Sequence, residues 1–253
     1  MPFCYPSSMT TLNNLTKSTT LILCLVLTGI GTIAMAKQTE PPDNASIVVE
    51  SSDCLESIIR FQTSKFKQID EHTYKLDFGP VLVQADRDTI INTPGCSVDI
   101  KDKAIALIAV SPTYTRIFNL HESWKDNLKI LLSEDNPFHM AISVGPGQDI
   151  AIIRSQNDKI AERIYLDDRV HRRKISHHKL KNDGHIYRAR YSILDLFKHN
   201  YLLKAANRSK ERHAKHLMGK VLRTAVALKD PDLERGSIKS DRPTLQDLMR
   251  KQF

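Results

Sequence analysis

The chain has 253 residues, with 37 Lys and Arg against 29 Asp and Glu, a formal charge of +8 and 41% hydrophobic residues. That apolar share beside 26% charged residues excludes whole-chain disorder; nine glycines exclude glycine-rich and collagen-like classes, and four cysteines are too few for a disulfide-dense miniprotein. The charge is divided, since residues 37–153 carry 11 basic and 17 acidic side chains while residues 154–253 carry 25 and 12.

In chain order, Leu21 to Met35 is an uncharged apolar run that follows Lys17 and closes on Ala34-Met35-Ala36. This is the layout of a secretory signal, with a basic start, a short apolar centre and small residues for a peptidase. The run is shorter than the about 20 apolar residues that span a bilayer. Residues 1–36 are therefore expected to be a signal peptide cleaved after about Ala36. The mature protein is then expected in the periplasm or outside the cell, without a transmembrane span. Cys54 and Cys96 remain after cleavage, and two thiols in an oxidising compartment suggest one disulfide. Two unpaired buried cysteines are the alternative.

Residues 37–70 are expected to be a linker with a first strand at 47–50 and a short helix. Ser51-Ser52-Asp53 ahead of Leu55, Ile58 and Ile59 has the form of a helix N-cap. From Tyr74 to Ile153 the apolar period changes to two. Expected strands lie at 74–78, 81–84, 97–101, 104–110, 115–120, 128–132, 140–144 and 150–154. The turn signals Gly79-Pro80, Thr93-Pro94-Gly95, Ser111-Pro112 and Gly145-Pro146-Gly147 separate several of them. Further on, Asn182-Asp183-Gly184 suggests a polar hairpin or basic loop over 169–191. Ser192-x-x-Asp195 resembles a capping box that opens a helix through about Ala206. Ser209 can cap a second helix ending at Asp230-Pro231, and Thr244-x-x-Asp247 suggests a last short one.

Several of these segments carry a family resemblance. Phe78-Gly79-Pro80-Val81-Leu82-Val83, Ile91-Asn92-Thr93-Pro94-Gly95-Cys96-Ser97-Val98, Ala104-Ile105-Ala106-Leu107-Ile108, Arg116-Ile117-Phe118-Asn119-Leu120 and Ser143-Val144-Gly145-Pro146-Gly147-Gln148 together resemble the FecR-type extracytoplasmic domain of bacterial envelope proteins. The resemblance covers about a third of the chain. It implies a compact β-only domain without cofactor or catalytic residues that relays signals or binds a partner. Signal-transducing members carry an anti-sigma region before a membrane span, whereas only Met1–Ser18 precedes the apolar run here. Direct sigma-factor regulation is therefore not implied. The expected fold is an all-β core domain (sandwich or short β-solenoid) over 71–154, with a basic, mainly helical C-terminal extension over 155–253.

No residue pattern points to a reaction. The chain lacks Gly-x-Ser-x-Gly, His-Glu-x-x-His, a phosphate-binding glycine loop and Cys-x-x-Cys. Asp167-Asp168 reads as solvated loop carboxylates. His213 and His216 share a helix face, but the cations around them oppose a metal, so neither metal nor cofactor is expected. The basic segment is the strongest functional signal. Arg172, Arg173, Lys174, Lys179, Lys181, Arg188 and Arg190 are expected to face an anionic envelope component or an acidic protein. Nucleic acid is disfavoured by export. Packing of the basic helices on the acidic body competes with that reading. The expected function is a non-catalytic binding, scaffold or signalling-accessory module. Its alternatives are a carbohydrate-binding module and an enzyme processing envelope polymers, and Trp124 is assigned to the core.

Overall fold

The computed structural model describes residues 46–123, 126–132, 141–180 and 184–228. These all belong to one compact unit within 41–253. The expected signal peptide, Trp124, Lys181 and the helix near Thr244 lie outside the described residues.

Among the described residues, thirteen strands form one continuous sheet. They are β1 (Ile47–Ser52), β2 (Leu55–Phe61), β3 (Lys65–Asp70), β4 (Thr73–Ala85), β5 (Thr89–Thr93), β6 (Cys96–Ile100), β7 (Ile105–Val110), β8 (Tyr114–Asn119), β9 (Leu128–Leu132), β10 (Ala141–Ser143), β11 (Gln148–Arg154), β12 (Arg172–Lys179) and β13 (Gly184–Tyr191). The described helices are α1 (Asp158–Leu166), α2 (Ile193–His199), α3 (Tyr201–Arg208) and α4 (Arg212–Ala227). The all-β core expected from the period-two pattern is present. Among the described residues, no helix is long and apolar enough to cross a membrane.

Strand β4 organises the sheet. Its first half pairs with β3 and β5, and its second half with β2 and β7. It therefore belongs to a smaller limb, β3-β4-β5-β6-β9-β10, and a larger one, β1-β2-β4-β7-β8-β11-β13-β12. The expected break at Gly79-Pro80 is a change of neighbours inside one strand. Gly79 takes φ +91°, a conformation that glycine adopts without steric cost. A Cβ there would stand 2.6 Å from Ser64 Oγ, and that hydroxyl donates to the Pro80 carbonyl at 2.8 Å. Pro80 lacks an N–H and sits where the ladder changes partners.

Alternation along the strands gives the larger limb two buried faces. Val81, Val83, Ile108, Ile117 and Ile150 turn towards the smaller limb and share a core with its Leu76, Ile91, Val98 and Ile130. Leu82, Leu107, Phe118 and Tyr191 turn the other way, onto α2, α3 and α4 through Leu196, Leu203, Leu217 and Val221. Helix α1 covers the β11–β13 end of that same side through Ala161 and Tyr165.

Several expectations are corrected. The helix after Ser51 is the β1–β2 hairpin. Leu55, Ile58 and Ile59 are buried in β2, and Ser52 shares a 2.6 Å hydrogen bond with the Tyr74 hydroxyl instead of capping a helix. The β structure does not end at residue 154, because β13 pairs along the full length of β11 and β12 pairs with β13. The apolar face of the helical segment completes a core against the sheet, the packing that the sequence left open. The capping box at Ser192 is formed, with its hydroxyl accepting from Asp195 N at 3.0 Å. The helix it opens stops at Asn200, which closes α2 and caps α3 by accepting from Leu203 N at 3.1 Å.

Cys54 and Cys96 are buried free thiols, not the expected disulfide. Thr89 Oγ1 donates to the Cys54 carbonyl at 3.2 Å, while Thr93, at the other end of β5, pairs with Cys96. Four strand residues span about 13 Å, about twice the Cα separation a disulfide bridges.

Candidate anion-binding face

The hairpin β12–β13 lies at one edge of the larger limb. Residues directly opposite in an antiparallel pair point to the same side, so the register sorts the basic side chains. Arg173 stands opposite Arg190, and Ser176 opposite Arg188. These share the side on which Gln148 and Ile186 lie. Arg188 is held there by Gln148 Oε1, which accepts from its Nε at 3.1 Å and its Nη2 at 2.6 Å. Arg173 and Arg190 are exposed. Lys174 sits in the irregular stretch between Arg173 and Ser176 with φ +53°, exposed beside the same edge.

The remaining expected residues divide differently. Lys179 is opposite His185 on the helix-bearing side and donates to Asp158 at 3.0 Å. Arg172 is overturned as an anion-facing residue, because its side chain is 1% exposed. Its guanidinium donates from Nη1 and Nη2 to the two Asp168 oxygens, both at 2.6 Å, and from Nε to Asp149 Oδ2 at 2.7 Å. The structure thus gathers Arg173, Arg188 and Arg190 on one face, with Lys174 at its margin.

The network around Arg172 was not legible in the sequence. Arg116, from β8, donates to Asp168 and to the Ile164 and Tyr165 carbonyls, each of these two at 2.9 Å. The Tyr165 hydroxyl donates to Asp149 Oδ1 at 2.9 Å. Two guanidiniums and two carboxylates therefore cancel in the interior. Asp168, read from the sequence as a solvated carboxylate, is ion-paired with a side chain 14% exposed. Burial pushes Asp168 up, but Arg116 and Arg172 outweigh it and hold its carboxyl below the usual range. Burial dominates at Asp149 and raises it, with Arg172 acting against the rise.

A column of rings extends from this clamp. The Arg172 guanidinium lies 4.5 Å from the Tyr165 ring centroid. Tyr165 stacks on Tyr187 at 4.7 Å, and Tyr187 on His177 at 4.5 Å. The His185 Nε2 is 2.9 Å from the Ser155 carbonyl, and its Nδ1 is 2.9 Å from His177 Nε2. A carbonyl only accepts, so His185 donates from Nε2 to Ser155. Together these interactions tie α1 and the segment before it to β12 and β13, and Asp149 has no solvent exposure. The cluster is built as a bracket for the hairpin. No group of three or more metal-ligating side chains occurs among the described residues.

No family model matches the chain, and neither a curated protein nor a solved structure matches it.

Proposed function

We propose that this protein is a non-catalytic, exported binding module whose β12–β13 edge holds an anionic envelope polymer. The observation that carries this reading is the cross-strand pair Arg173–Arg190 with Arg188 beside it on one face. A polyanion lying across the hairpin would meet all three guanidiniums from one side. The bracket of Arg172, Asp168 and Asp149 supports the reading by fixing β12, so the arginines are ordered before a ligand arrives. The FecR-type resemblance over 71–153 points to the same class of module.

The test is retention of the protein by an acidic polysaccharide such as polygalacturonate over a salt series. Arg173→Gln with Arg190→Gln is expected to weaken retention and to flatten its salt dependence, since fewer ion pairs are screened. Unchanged affinity and salt slope in that variant would overturn the assignment.

A further inference from the structure

A second cationic surface lies on the opposite side of the larger limb, independent of the hairpin. Residues 193–228 hold eight Lys and Arg against Asp195 and Glu211. Helix α4 itself has Arg212, Lys215, Lys220 and Arg223 and no carboxylate. Its inner positions Ala214, Leu217, Met218, Val221, Leu222 and Ala225 are buried against the sheet and neighbouring helices. At 100° per residue, the outward stripe is Arg212, Lys215, His216, Gly219, Arg223 and Val226.

Arg208, Lys210, Arg212, Lys215 and Arg223 are all exposed, and none has an acidic partner among the described residues. By contrast Lys220, nearer the sheet, is paired with Glu56 at 3.1 Å. Val226 is 47% exposed at the end of the stripe. The cations from Arg212 to Arg223 span about 16 Å of helix axis.

We infer that the outer face of α3 and α4 docks on an anionic phospholipid bilayer. A helix packed flat on a sheet presents a convex cationic ridge, which meets a planar anionic surface more readily than it encloses a chain. Lys and Arg side chains are long enough to reach headgroups while their stems lie along the boundary. Gly219 in the stripe lets the backbone come close, and Val226 supplies apolar area at one end. Each cation near such a surface favours binding about fivefold. The contact is peripheral, because α4 uses its apolar face inside the protein.

The experiment is co-sedimentation of the protein with phosphatidylglycerol–phosphatidylcholine vesicles and with phosphatidylcholine alone. Combined Arg212→Gln, Lys215→Gln and Arg223→Gln is expected to lower partitioning onto the anionic vesicles on the order of a hundred-fold. Its unfolding midpoint should remain that of the unmodified chain, since all three side chains are exposed. The Arg173→Gln/Arg190→Gln variant should still bind vesicles, which separates this docking face from the hairpin. Equal binding to both vesicle types, or wild-type partitioning of the α4 variant, overturns the inference. So does an α4 variant that loses dextran sulfate while the unmodified protein ignores vesicles, for the face then belongs to a soluble polyanion.

Discussion

Arg172 grips Asp168 with two parallel bonds of 2.6 Å, turns Nε onto Asp149 at 2.7 Å, and donates again from Nη1 to the Val170 carbonyl at 3.2 Å. The pair joins the start of β12 to the segment after α1, and Arg116 on the same carboxylate extends the tie to β8. A guanidinium fork matches a carboxylate in this planar way, and a lysine would not reproduce it.

Asp168→Asn leaves Arg116 and Arg172 short of a counter-charge in a buried site. Breaking a buried ion pair from one side costs about 3–5 kcal/mol, and for a domain of this size the melting midpoint should fall on the order of 10 °C. Asp167→Asn, one residue away but exposed, should change stability by about 0.5 kcal/mol or less. Thermal unfolding of the two variants decides it, and similar midpoints would contradict the clamp.

The same carboxylate sets an acid limb. The folded value of Asp168 is held below its ordinary 3.8, so its stabilisation is complete above the unfolded value and is lost as the pH falls through the folded one. Asp149 is raised and works in the opposite direction, its burial weighing against the fold once it ionises. Denaturant unfolding at stepped pH should show the native chain and Asp168→Asn well separated above about pH 4 and converging below it. A constant separation down to the lowest pH would exclude Asp168 as the source.

Both thiols should behave as buried cysteines. Burial pushes Cys96 up to about 11, partly countered by its hydrogen bond with Thr93, and burial also raises Cys54. Because the thiolate is the reactive form, Cys96 should resist alkylation at neutral pH in the native protein. After unfolding without reductant, peptide mapping should find Cys54 and Cys96 both alkylated. Recovery of a peptide containing both residues in disulfide linkage would restore the pairing expected from export.

Gly79 and Gly95 both have positive φ, +91° and +94°, yet their surroundings differ. An alanine Cβ at 79 would meet the Ser64 side chain at 2.6 Å and its Cα at 3.0 Å, whereas at 95 the nearest atom is Arg154 Nη1 at 3.8 Å. Gly95→Ala should cost about 1 kcal/mol for the backbone conformation alone. Gly79→Ala should cost about 2 kcal/mol or more, because a packed neighbour must also move. Chemical denaturation ranks the two, and a smaller loss at 79 would show that Ser64 yields to the added Cβ without cost.

The sequence by itself determined the β-rich core, most strand positions and the Ser192 cap, because these rest on local signals: a period of two, glycine and proline turns, and a hydroxyl three residues before its amide. It also placed Arg173, Arg188 and Arg190 in one basic segment. Only the tertiary structure decided which cations face outward. Arg172 and Arg173 are adjacent in sequence, but alternation in β12 sends the first into the interior and leaves the second on the surface. Its partners, Asp149 on β11 and Asp168 after α1, are brought to it by strand pairing and helix packing, which no short-range pattern encodes. Cys54 and Cys96 fail as a pair for the related reason that sequence context says nothing of the length of β5 between them. The helix after Ser51 failed because Leu55, Ile58 and Ile59 suit a short amphipathic helix as well as a strand buried on both faces, and the choice was made by the β4 edge against which β2 pairs.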